Sequence, residues 1–90
     1  MEGQEQIKDF SWALAMLREG KKVFRAGWHG RGLSIELQNP DENSKMTLPY
    51  IYLNVPVEEM VEFAAVPWVA SQTDILSDDW EEYQEEEAGR

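Results

Sequence analysis

Apolar positions near the start of the chain follow the period of a helix. Four apolar residues between positions 10 and 19 have the i, i+3, i+4 and i+7 spacing of one helical face, namely Phe10, Ala13, Leu14 and Leu17. Asp9 or Ser11 can cap the start of this segment, and Gly20 suits the left-handed position just past its end. The pattern therefore predicts a helix over residues 10–19.

Further along, the period shortens to two, which is typical of strands with one buried face. Residues 33–38 alternate apolar and polar side chains after a β-type run, and GWHGRG at 27–32 separates the two segments as a hairpin loop. Residues 49–55, PYIYLNV, are aromatic and β-branched and predict another strand. Residues 61–66 fit a helix or a strand, and we interpret them as a strand that enters Pro67.

The last quarter of the chain opens with a helix-start pattern. Ser71, followed three residues later by Asp74, matches a capping box with the shorter acid and predicts a helix of one to two turns. WEEYQ at 80–84 is interpreted as a closing strand. These elements predict an α+β fold: a small antiparallel sheet with an N-terminal helix and a short helix in the C-terminal half. We expect one oligomeric domain over residues 1–83 and a frayed acidic tail at 84–90.

The chain length and the residues it lacks narrow the class of protein. Ninety residues supply one small core, and the absence of cysteine excludes disulfides and thiolate metal sites. Extra stability would then come from self-association or from a ligand. No apolar run reaches membrane-spanning length, and the start MEGQEQIKDF lacks the basic-then-apolar order of a secretory signal. We therefore expect a soluble protein of the cytoplasm.

Charge is distributed unevenly. The formal net charge is −10, from 8 basic and 18 acidic residues, which disfavours binding to nucleic acid or to an anionic membrane. Residues 78–90 contain seven of the acids and one base. Five cationic side chains gather within 14 positions, namely Arg18, Lys21, Lys22, Arg25 and Arg31. The sequence therefore predicts a local basic patch on an acidic protein.

Candidate catalytic groups are few, because a nucleophile needs a positioned base and the chain has no cysteine and one histidine. His29 lies in the glycine-rich loop, where a solvated side chain is the simpler interpretation. No group of side chains shows convincing metal-ligand spacing, so we predict no enzyme, no metal and no cofactor. A hydrolase that uses Asp74 with a divalent ion stays open. The glycines allow the backbone to approach a ligand, with Arg25 and Arg31 as candidate phosphate partners.

Four tryptophans in 90 residues are well above ordinary usage. Trp12 on the predicted helix and Trp80 near the last strand are assigned to structure. Trp28 and Trp68 each sit beside a glycine or a proline in polar surroundings, which favours rings held at an edge. Such rings suit the faces of a purine, and packing in the core is the competing interpretation for each.

A polar group follows Trp68 at the predicted helix start. Free backbone amides there can bind phosphate, and Asp74 can accept hydrogen bonds from ribose hydroxyls. The alternative is that Ser71 and Asp74 cap each other's amides, in which case neither is fully available to a ligand.

Three separated blocks, FSWALAMLREGKKVFRAGWHGRG, PYIYL and VPWVASQTDILSDDW, occur in this order between residues 10 and 83. Together they resemble the phage and prophage family called the second Thoeris anti-defence family. The chain departs from that pattern where VPVEEMVEF replaces a short turn before PW, and in its acidic end.

The resemblance implies a sponge, a protein that binds the cyclic ADP-ribose isomer of a bacterial immune sensor and holds it without degrading it. Similar proteins assemble as dimers of dimers with ligand pockets between subunits. A homotetramer in the cytoplasm of the infected host is therefore expected, with a cyclic nucleotide as its small-molecule partner. By carry-over of GWHGRG and PWVASQTD, the candidate ligand-binding residues are Trp28, Gly30, Arg31, Gly32, Trp68, Ser71, Gln72 and Asp74.

Two other functions stay open. Some relatives sequester cyclic oligonucleotides of another defence system. An acidic inhibitor that mimics DNA would instead occupy a basic host protein, although such a mimic spreads its acids over a folded surface and this chain collects them at one terminus.

Overall fold

The helical and alternating patterns become helices and strands in a computed structural model that describes residues 7–30, 32–57 and 62–84. The elements in chain order are α1 (Phe10–Arg18), β1 (Val23–Arg25), β2 (Ser34–Gln38), β3 (Tyr50–Val57), β4 (Glu62–Pro67), α2 (Gln72–Leu76) and β5 (Trp80–Glu82). The strands form one antiparallel sheet in the order β4-β3-β2-β1-β5. The predicted α+β class and both predicted helices are confirmed.

Helix α1 begins and ends where its capping residues predict. The carboxylate of Asp9 accepts a hydrogen bond from the amide of Trp12 at 3.0 Å, which satisfies one of the free donors of the first turn. Gly20 has φ +88°, a left-handed conformation that costs little without a Cβ atom. The chain can therefore turn from α1 into β1 within a few residues.

The sheet contains the hairpin that the glycine-rich loop predicts. Strand β1 pairs with β2 through Val23 and Ile35, and β3 pairs with both β2 and β4. The strand interpretation of the segment before Trp68 is confirmed, since β4 places Val66 opposite Leu53. Residues 58–61 and the acidic residues 85–90 lie outside the part of the chain that the structure describes.

The buried core lies between α1 and one face of the sheet. Ala13 and Leu17, one helical turn apart, pack with Val23, Ile35 and Trp80, and each of the five is at most 1 % exposed. Trp80 is thus a core residue, as predicted. Trp12 is half-buried and packs against this core.

The alternation in β2 is only partly reflected in burial. Ile35 is fully buried as predicted, but Ser34, which the pattern places on the polar face, is also 1 % exposed. Its hydroxyl accepts a hydrogen bond from Nδ2 of Asn54 at 3.3 Å, so its burial leaves the group satisfied. Within the described residues, neither helix has the length and apolar character needed to cross a membrane.

Candidate functional site

An aromatic cluster forms around Trp80. The ring centroid of Trp28 lies 5.5 Å from that of Trp80 at an interplanar angle of 78°, and the ring of Trp68 lies 6.4 Å away at 86°. Phe10 packs against Trp80 at 5.6 Å and against Trp68 at 6.3 Å. Trp28 and Trp68 are therefore held in edge-to-face contact with one buried ring, a geometry that aromatic pairs favour.

The same two tryptophans line one cleft, which we call the indole cleft. It has a volume of about 400 Å³ and is lined by Arg25, Gly27, Trp28, His29, Leu33, Leu53 and Trp68. Both indoles are half-buried, so each ring packs on the core and also contributes to the cleft wall. The sequence left core packing and an edge position as alternatives for Trp28 and Trp68, and both are true of each ring.

Asp74 accepts hydrogen bonds from two indole rings, those of Trp28 and Trp80. Its Oδ1 accepts a hydrogen bond from Nε1 of Trp28 at 3.2 Å, and its backbone carbonyl accepts one from Nε1 of Trp80 at 3.1 Å. Asp74 is 8 % exposed, and its Oδ1 also accepts from Nη1 of Arg25 at 3.0 Å. One residue of α2 thus determines the orientation of two rings.

Arg25 joins Asp74 to a second carboxylate. Its Nε and Nη2 donate to Oδ1 and Oδ2 of Asp79 at 2.8 and 3.3 Å. Oδ2 of Asp79 also accepts from the amide of Gly27 at 2.8 Å, which ties down the loop residue before Trp28. A Cβ atom on Gly27 would lie 2.8 Å from that oxygen, so this approach requires glycine. We call Arg25, Asp74 and Asp79 the ionic triad.

The electrostatics of the ionic triad favour its charged forms. The hydrogen bond to Asp79 is the largest cause that raises the pKa of Arg25, and the matching bond from Arg25 lowers the pKa of Asp79. Burial acts to raise the pKa of Asp74, but hydrogen bonds from the Ser71 amide, Arg25 and Trp28 together lower it. The triad carries one positive and two negative charges, so the charge of Arg25 in the predicted basic patch is already balanced.

The candidate residues at the start of α2 are engaged within the fold. The hydroxyl of Ser71 accepts from the amide of Asp74 at 3.0 Å, and the amide of Ser71 donates to Oδ2 of Asp74 at 3.1 Å. The predicted capping box is confirmed. Gln72 is exposed on the first turn, and neither Ser71 nor Gln72 lines the indole cleft.

The glycine-rich loop contributes to a neighbouring cleft that shares Arg25, Trp28 and Leu33 with the indole cleft. This glycine-loop cleft, of about 450 Å³, includes Gly30, Gly32 and Leu33 together with Tyr83. A Cβ atom on Gly30 would lie 2.7 Å from Cδ1 of Leu33, a side chain that lines both clefts. Arg31 lies outside the residues that the structure describes.

A third and larger cleft, the tyrosine cleft, shares Trp68 with the indole cleft. It has a volume of about 610 Å³ and is lined by Gln38, Met46, Tyr50, Ile51, Tyr52, Ala65, Val66, Pro67 and Trp68. Burial, with a smaller contribution from Glu36, raises the pKa of Tyr52 to about 12. Its hydroxyl therefore remains a hydrogen-bond donor throughout the physiological range.

Sequence reasoning did not identify Asp79 or Leu53 as site residues, and it took Arg25 for a phosphate partner. The strand register contains the missing signal, because Arg25 lies opposite Trp80 in the β1–β5 pair and Asp79 is the residue before Trp80. Among the described residues, no three His, Asp or Glu side chains converge as a metal site requires.

The fold and the cleft define a class: a small α+β domain in which two tryptophans, both packed against a third, buried tryptophan, line a cleft of small-molecule size. Residues 8–83 match the family model of the Thoeris anti-defense 2-like domain. The chain is also 34% identical over 80 residues to Thoeris anti-defense 2 of Bacillus phage SP01, an alignment that covers 80% of this chain and 90% of that protein. The chain belongs to the Thoeris anti-defense 2-like family. The resemblance drawn from the three sequence blocks is confirmed, and the family supports a role in phage anti-defence.

Proposed function

We propose that the protein is a sponge that binds a cyclic ADP-ribose isomer, glyco-cyclic ADP-ribose, in the indole cleft and holds it without degrading it. The ligand would thereby be withheld from the Thoeris effector in the cytoplasm of the infected host. The observation that carries this proposal is that Trp28 and Trp68, 40 residues apart in sequence, line one cleft. An adenine ring placed there can stack on an indole that is already held in position.

Stacking accounts for part of the affinity that a sponge needs. Base–aromatic stacking contributes about 1–3 kcal/mol per base. Retention of a signal at nanomolar concentration requires about −12 kcal/mol. The remainder must come from the ribose and phosphate groups and from a pocket whose walls are ordered before binding. Trp28 and Trp68 meet the last condition, because both rings are already ordered against Trp80 when the protein folds.

The phosphates need cations other than Arg25. Arg25 lines the indole cleft, but it is paired with Asp74 and Asp79, which do not line it, so the ionic triad as a whole carries a net charge of −1. We propose that the adenine and ribose lie against the indole walls and that the phosphates face away from the ionic triad, toward a neighbouring subunit, with Arg31 kept from the sequence as a candidate phosphate partner. In this arrangement Asp74 holds Trp28 in place. It can accept hydrogen bonds from ribose only with the lone pairs that Arg25, Trp28 and the Ser71 amide leave free.

We also propose that the protein works as a homo-oligomer with pockets between subunits. Several large apolar side chains of the described residues are exposed: Leu48 is 74 % exposed, Val69 is 87 % exposed and Leu76 is 80 % exposed. Association would remove this apolar surface from water and could close the mouth of the indole cleft. Native mass spectrometry that finds a tetramer supports the proposal, and a monomer at working concentration contradicts it.

Recovery of the ligand distinguishes a sponge from an enzyme. The protein is mixed with glyco-cyclic ADP-ribose, unbound ligand is removed by filtration, and the retained fraction is heat-denatured and analysed by chromatography. A sponge returns the intact ligand, and an enzyme returns a product. Trp28→Ala and Trp68→Ala should lose retention, whereas Trp12→Ala, which removes an indole that does not line the indole cleft, should keep it if the fold survives.

The tyrosine cleft favours a second candidate function, the sequestration of a cyclic oligonucleotide. It is larger than the indole cleft and offers Tyr50 and Tyr52 as additional aromatic walls beside Trp68. The same recovery assay with cyclic di- and trinucleotides tests this function. Tyr50→Ala should reduce the retention of those ligands and leave the retention of glyco-cyclic ADP-ribose unchanged.

A further inference from the structure

We infer that Arg25 is a positioning residue for the indole cleft: it holds Trp28 in place through two aspartates and does not bind ligand phosphate. The inference rests on the proposed function, which supplies the ligand, and on the contacts of the free protein, which supply the geometry. It assigns to Arg25 and Asp79 a role in binding that is indirect.

Two independent chains of contacts connect Arg25 to Trp28. The first passes through Oδ1 of Asp74, which accepts from Arg25 at 3.0 Å and from the indole Nε1 of Trp28 at 3.2 Å. The second passes through Asp79, which is held by Nε and Nη2 of Arg25 and accepts from the amide of Gly27 at 2.8 Å. The side chain of Trp28 and the backbone at Gly27 are therefore both held through one guanidinium.

The planar fork of arginine is what makes this arrangement work. Three donors on three different nitrogens reach two carboxylates at once, and the Arg25 side chain is only 13 % exposed. A lysine keeps the positive charge but presents a single nitrogen, so it cannot hold both carboxylates in the same geometry. The backbone adds a further link, because the amide of Trp28 donates to the carbonyl of Arg25 at 3.0 Å.

The same geometry argues against phosphate binding by Arg25. A phosphate that approached the guanidinium would also approach Asp74 and Asp79, and like charges repel. Asp79 already occupies the Nε–Nη2 edge of the guanidinium, the edge that binds an anion through two parallel bonds, and Asp74 occupies Nη1. The energetic effect of Arg25 on binding is therefore transmitted through the position of the Trp28 ring.

The experiment combines indole spectra of the free protein with ligand titrations. The four tryptophans give four indole N–H resonances, and Trp28→Phe identifies the one that belongs to Trp28. In Arg25→Lys the Trp28 resonance should shift or broaden before any ligand is added. The affinity of the Arg25→Lys variant for glyco-cyclic ADP-ribose, measured by calorimetry, should fall at least tenfold, and the salt dependence of binding should be unchanged. A tenfold loss with an unmoved Trp28 resonance and a weaker salt dependence would show direct phosphate contact and overturn the inference.

Asp79→Asn provides a test in which the two roles predict opposite signs. If Arg25 positions Trp28, removal of the Asp79 charge loosens Arg25 and Gly27, and the affinity falls severalfold. If Arg25 binds phosphate, the same variant releases the guanidinium and removes a repulsive charge, and the affinity rises. Asp79→Asn also serves if Arg25→Lys fails to fold. Should the wild-type protein bind no glyco-cyclic ADP-ribose, the proposed function fails, and the indole spectra alone then support or overturn the positioning role.

Discussion

Replacement of Asp74 by alanine is the sharpest test of how the site is held together. The variant loses three hydrogen bonds to the carboxylate, from Arg25, Trp28 and the amide of Ser71. A hydrogen bond to a charged group contributes about 1.5–3 kcal/mol, and loss of a capping residue costs about 1 kcal/mol. These losses are not additive, because Arg25 keeps Asp79 as a partner and the exposed Ser71 amide can bond to water. We expect a total destabilisation of about 3 kcal/mol.

Thermal unfolding measures this destabilisation directly. For a domain of this size each kcal/mol lowers Tm by about 4–8 °C, so Asp74→Ala should lower Tm by about 12–24 °C. The matched control is Asp78→Ala, four residues along the chain, whose exposed side chain should contribute within about 0.5 kcal/mol. If Asp74→Ala lowers Tm no more than Asp78→Ala does, the carboxylate does not hold the site and the reasoning is refuted.

Three further predictions follow from the contacts around the site. Because Arg25 lowers the pKa of Asp79 below its ordinary value of 3.8, the stability from Asp79 is present above that pH and lost below it. The Tm advantage of wild type over Asp79→Asn should therefore shrink as the pH falls from about 6 to about 3, and a constant difference would contradict the ion pair. Gly27→Ala forces a methyl group against the Asp79 carboxylate and should lower the free energy of unfolding, measured with denaturant, by about 1–3 kcal/mol. Gly30→Ala displaces only the flexible end of Leu33 and should lower it less. The reverse order would refute the close approach at Gly27. In an ultraviolet titration one tyrosine should ionise near pH 12, and this step should be absent in Tyr52→Phe. Glu36→Gln should lower the pKa of Tyr52 only partly, because burial is the larger cause of its rise. Ionisation of Tyr52 near its ordinary pKa of 10.0 would contradict that burial.

Local signals in the sequence were sufficient for the elements of the fold. The spacing of Phe10, Ala13 and Leu17 predicted α1, and Ser71 with Asp74 predicted the start of α2, because these patterns involve neighbours within one or two turns. The strand before Pro67 was harder, since an apolar run fits either period, and its pairing with β3 decides the outcome.

The site depended on contacts between residues far apart in the chain. Sequence reasoning selected Trp28, Trp68 and Asp74, but it could not show that Asp74 bonds to Trp28 across 46 positions. The ion pair between Arg25 and Asp79 spans 54 positions and follows from the β1–β5 register, which no local pattern specifies. A basic cluster in sequence was therefore taken for a basic surface, although the charge of one member is balanced inside the fold.

The measurement that tests the central claim most directly is a crystal structure of the protein with glyco-cyclic ADP-ribose. We predict that the adenine stacks on Trp28 or Trp68 within the indole cleft, with both rings still perpendicular to Trp80 and the phosphates directed away from Asp74 and Asp79. A ligand bound elsewhere on the protein, or phosphates bound to Arg25, would contradict the account.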